Sequence, residues 1–73
     1  MEVPAKVKRA ARALIRQFGD NFRLLGEYDG RDAYVFVFPP DLETGFPVVY
    51  LYDGENVEEV TGFAALGIVT SFS

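Results

Sequence analysis

The side chains able to do chemistry in this 73-residue chain are carboxylates, lysines, arginines and tyrosines, because it contains neither histidine nor cysteine. Without histidine there is no imidazole base, no imidazole metal ligand and no Ser-His nucleophile system. Without cysteine there is no thiolate and no disulfide framework, which suits a reducing compartment such as the cytoplasm. What remains is acid-base chemistry by carboxylate, Lys or Tyr, or a hard cation held by oxygen ligands. One acid pair can be placed: Glu27 and Asp32 fall opposite each other across Asp29-Gly30. Two carboxylates that close could hold a cation. The plainer reading is a flared hairpin end neutralised by Arg23 or Arg31, since like charges facing each other across a strand pair are unfavourable. The expectation is a non-enzymatic chain with no catalytic residue, cofactor or metal.

The bases suggest a second chemistry. Residues 1–23 hold six of the seven bases against Glu2 and Asp20, a net of +4, while the remainder holds Arg31 against nine acids, a net of −8. Lys8, Arg9, Arg12 and Arg16 share one helical face and form a candidate anion-binding surface for nucleic acid or another polyanion. Overall acidity, at a net charge of −4, disfavours nucleic acid, and a solvated face partly paired with the acidic remainder is the ordinary alternative. Asp41, Glu43, Asp53, Glu55, Glu58 and Glu59 would suit a basic partner, but also serve as loop solubilisers and edge-strand protection.

The elements that position these groups follow from periodicity. Pro4 suits a first helical turn, and Val7, Ala10, Ala11, Leu14, Ile15 and Phe18 recur at spacings of three and four up to Gly19, predicting a helix over 3–18. From Phe22 the period becomes two. Strands are predicted over 22–28 and 31–38 about Asp29-Gly30, then over 47–52 and 56–60 about Asp53-Gly54, with 39–45 as a loop. The tail, from Thr61 as a candidate cap, is read as a short helix despite its β-branched Ile68-Val69-Thr70. The result is a single α+β domain over residues 1–73: a four-stranded antiparallel meander with an N-terminal amphipathic helix and a short C-terminal one, in the order α-β-β-β-β-α. No apolar run approaches the roughly 20 residues that span a bilayer.

Pairing about Asp29-Gly30 places Phe22, Leu24, Ala33, Val35 and Val37 on one sheet face and Leu25, Tyr34 and Phe36 on the other. Both faces are apolar. The first helix is expected to cover the aliphatic face, leaving Tyr34, Phe36, Phe38, Tyr50 and Tyr52 on an aromatic face. That face would be covered by the C-terminal segment, by a second copy or by a protein partner. Five uncovered aromatics would exceed the few hundred Å² that a monomer usually exposes.

Residues 45–57, with their Pro47 and Asp53-Gly54, followed by Gly62, Phe63 and Leu66, resemble the closing hairpin and helix of thioredoxins. The resemblance implies a hairpin and helix in the last third of the chain. It implies no redox activity, because the family's Cys-x-x-Cys pair has no counterpart here, and the first half runs helix then hairpin where thioredoxins have a strand, a redox loop and a long helix. The functional expectation is a cytoplasmic protein-interaction domain, homodimeric or partner-bound through the aromatic face.

Overall fold

A computed structural model describes residues 2–42 and 45–73. The elements run α1 (Ala5–Ala10), α2 (Arg12–Phe18), β1 (Phe22–Tyr28), β2 (Arg31–Phe36), β3 (Val49–Tyr52), β4 (Val57–Val60) and α3 (Gly62–Ser71). The strands form one antiparallel sheet in the order β1-β2-β3-β4. This is the expected α+β meander. Of the expected 39–45 loop, Glu43 and Thr44 lie outside the described residues.

The N-terminal helix breaks at Ala11, whose φ of −96° and ψ of 16° leave the helical basin. Its hydrogen bonds nevertheless continue across the break, from Ala11 N to Val7 O and from Ile15 N to Ala11 O. Val3, Val7 and Ala11 are buried, and Leu14, Ile15 and Phe18 pack at the margin of the same cluster. Ala10, placed on the apolar stripe by its spacing, is exposed. Gly19 closes the helix with a φ of 97°, a value that favours glycine, and donates to Ile15 O.

The two Asp-Gly pairs make different turns. Asp29 and Gly30 both have positive φ, 54° and 78°, and join Tyr28 directly to its partner Arg31 in a two-residue loop. At the second pair, four residues, Asp53 to Asn56, separate the partners Tyr52 and Val57. There the Asp53 carboxylate accepts hydrogen bonds from the Glu55 and Asn56 amides at 2.8 and 2.7 Å. Those bonds hold its carboxyl pKa below the usual value. The side chain thus stabilises the turn by the mechanism of an Asx motif.

Register corrects the expected faces. Near the turn the pairs are Tyr28 with Arg31, Glu27 with Asp32 and Gly26 with Ala33, but an irregularity between Leu24 and Gly26 then pairs Leu24 with Tyr34 and Phe22 with Phe36. One extra residue on β1 turns every side chain beyond it to the opposite face. Phe22 and Leu24 therefore share the aromatic face, while Leu25 packs with Ala33, Val35, Val49 and Leu51.

The helix assignments are exchanged as well. The N-terminal helices cover the aromatic face, where Val3, Val7 and Ala11 form one buried cluster with Tyr34, Phe36 and Tyr50. The aliphatic face is covered by α3 through Ala65 and Ile68. Aromatic rings leave gaps that a ridge of Val and Ala can fill, and Phe18 completes the layer by edge-on contact with Phe38 at 5.3 Å. The molecule is a sheet sandwiched between helices. Thr61 stands at the N-terminus of α3 without a capping side-chain bond, contrary to its expected role.

Candidate functional site

The aromatic face is core. Tyr34, Phe36 and Tyr50 are buried, Phe38 and Tyr52 are partly buried, and the chain's own helices occupy the surface that a partner would need. Tyr50 is 0% exposed, and its hydroxyl donates to Glu59 Oε2 at 2.8 Å across the β3-β4 pair. Burial first, and then that hydrogen bond, push its pKa above the ordinary 10.0. Burial also raises Tyr34.

A pH dependence follows. Above pH 10 the unfolded chain loses the Tyr50 proton while the folded chain keeps it, so the unfolded state binds fewer protons and stability falls as pH rises. Below pH 10 the contribution is fully present. Tyr50→Phe is expected to flatten this loss between about pH 10 and pH 12 in thermal melts. An unchanged alkaline limb in that variant would show that Tyr50 is not its source.

Glu27 and Asp32 are register partners, as expected, and both are exposed. Arg31, expected to neutralise that hairpin end, instead binds Glu58 at 2.8 Å. No group of three or more potential metal ligands occurs among the described residues.

The surface that sequence reasoning missed belongs to α3. Its ten residues, GFAALGIVTS, include no charged side chain. Only one side can face the sheet, so an uncharged helix must show apolar groups to solvent. Phe63 is 79% exposed and Leu66 is exposed beside it. The Phe63 ring meets Phe46 edge-on at 4.7 Å, joining α3 to the loop before β3. Between helix and loop lies a groove of about 400 Å³ whose lining includes the side chains of Phe38, Pro40, Leu42, Phe46, Pro47 and Leu66. The signal was present in the sequence: residues 60–73 form its longest uncharged segment.

Lys8, Arg9, Arg12 and Arg16 do come together. With Ala5, Ile15 and Asp20 they line a groove of about 540 Å³ on the outer side of α1 and α2. Lys8 is bound to Asp20 at 2.8 Å, and Lys6 donates to the main-chain carbonyl of Glu55 at 2.7 Å. Among the described residues no salt bridge joins the helix to the acidic half, so the expected partial charge pairing is limited to that main-chain contact.

Fold and surfaces together define a small α+β domain with an antiparallel meander covered on both faces, and with one apolar and one basic surface left outward. Compared with family models, curated proteins and solved structures, the chain matches none. No helix among the described residues is long and apolar enough to cross a membrane.

Proposed function

We propose that this chain is a small non-enzymatic interaction domain that pairs reversibly with a second copy of itself through the outer face of α3. The observation that carries the reading is Phe63, the most exposed large apolar side chain among the described residues, standing on a helix that bears no charge. A twofold contact must be self-complementary, because the same patch meets itself. An uncharged face meets that condition at no electrostatic cost, whereas the −4 net charge would oppose contact through the acidic turns and β4. Phe63, Phe46, Leu66 and Leu42 present on the order of 400 Å², taking typical side-chain areas. That is roughly half of the ~800 Å² per partner in a standard stable interface. The pairing is accordingly weak and concentration-dependent, and a chain without cysteine suits its operation in the reducing cytoplasm.

Sedimentation velocity from about 10 µM to about 1 mM tests the reading, a range matching a micromolar dissociation constant. The average mass is expected to rise toward that of a dimer, and Phe63→Asp to keep it monomeric while changing stability by no more than about 0.5 kcal/mol. A wild-type chain that stays monomeric throughout ends the self-pairing proposal. Equal dimerisation of Phe63→Asp would move the interface elsewhere.

A further inference from the structure

The helices α1 and α2 contain Lys6, Lys8, Arg9, Arg12 and Arg16 and not one acid. Lys8, Arg12 and Arg16 follow one another at i, i+4 and i+8, a spacing at which like charges destabilise a helix. Lys6 and Lys8 are engaged by Glu55 O and Asp20, but among the described residues no carboxylate forms a salt bridge with Arg9, Arg12 or Arg16. All three are exposed. The hydrogen bonds that continue across the break at Ala11 hold the two helices in line, and all three arginines border the same groove. They stand over a shallow floor made by Ala5 and Ile15. The Asp20 carboxylate also lies in this groove, with its charge offset by Lys8.

We propose that Arg9, Arg12 and Arg16 form a binding site for a small linear oligophosphate lying along the helix. Guanidinium forks match phosphate oxygens two at a time, and successive phosphates would relieve the repulsion along the helix. The groove is open to solvent and walled largely by the aliphatic stems of these side chains, so the phosphates would lie along its rim, where the guanidinium heads reach water. A long nucleic acid fits less well. Among the described residues no aromatic side chain lines the groove to stack a base, and a strand longer than the site would meet the field of the −8 half of the chain. The site lies across the sheet from α3 and is independent of self-pairing.

The test is a titration of isotope-labelled protein with inorganic triphosphate, followed by amide chemical shifts. Shifts are expected to concentrate in residues 5–20, with a dissociation constant of about 0.1–1 mM at low salt that rises as salt is added. Arg12→Gln is expected to weaken binding about tenfold, the scale of one lost charge-assisted hydrogen bond. Arg23→Gln removes the same charge from β1, outside the groove, and should change it by less than about twofold. The proposal is overturned by no shifts at about 10 mM triphosphate, far above that constant. It is also overturned by equal weakening in both variants, which would mean a diffuse field. Tighter binding of a short single-stranded oligonucleotide at equal phosphate concentration would assign the surface to nucleic acid instead.

Discussion

Replacing Phe36 by alanine is expected to leave the chain largely unfolded at 25 °C. Phe36 is 2% exposed and stands at the centre of a ring cluster, with Phe22 at 5.3 Å, Phe38 at 5.1 Å and Phe18 at 6.5 Å. Truncation of a buried Phe costs about 3–5 kcal/mol, through lost transfer energy and the cavity left behind. A core of this size supplies about the same amount in total. Because Phe36 also joins α2 to the β1-β2 pair, the cavity would open between elements rather than within one. Urea denaturation followed by circular dichroism, at a concentration low enough to exclude pairing, should show no cooperative transition. Phe38→Ala, at the margin of the cluster, should retain one at a lower midpoint. A cost below about 1 kcal/mol at Phe36 would mean that the helix layer does not pack on this face.

The second large effect is expected at Gly26, where the register of β1 shifts. Its φ of 141° is rarely adopted by L side chains, and an added Cβ would lie 2.9 Å from Cε1 of Phe72. Backbone strain of this kind costs about 1–3 kcal/mol. Phe72 follows α3 and packs against Tyr28 with ring centroids 6.3 Å apart, so Gly26→Ala should also loosen the C-terminal end. Two causes can be separated by a double-mutant cycle. If the collision contributes, Gly26→Ala costs less in a Phe72→Ala background than alone; if strain acts by itself, the two substitutions add. Gly54 has a φ of 100° but open space around it, so Gly54→Ala reports backbone strain without a collision. A cost at Gly26 no greater than at Gly54 would remove Phe72 from the account.

The arginine strip was legible because helical periodicity is local: once Val7, Leu14 and Phe18 define the buried side, Arg9, Arg12 and Arg16 must point away from it. The α3 surface was legible in principle, since an uncharged ten-residue helix cannot hide all its side chains against one sheet. The helix itself was predicted; its outward side was missed because the tail was weighed only as a cover for the aromatic face. The aromatic face was misjudged for a different reason. Five large rings suggest an exposed patch only until a cover is found, and its buried part, Val3, Val7 and Ala11, lies more than twenty residues away in sequence.

By itself the sequence determined the element types, the meander order, the two Asp-Gly reversals and the basic side of the N-terminal helix, all set by interactions within a few residues. Only the tertiary structure decided which helix lies on which face. With both faces apolar, either arrangement satisfies the pattern, and the choice rests on how Val7 and Ala11 fit among the rings and how Ala65 and Ile68 fit among valines. It also decided the faces of Phe22 and Leu24. A single extra residue near Gly26 reverses their direction, and a period of two carries no record of where such a residue is absorbed.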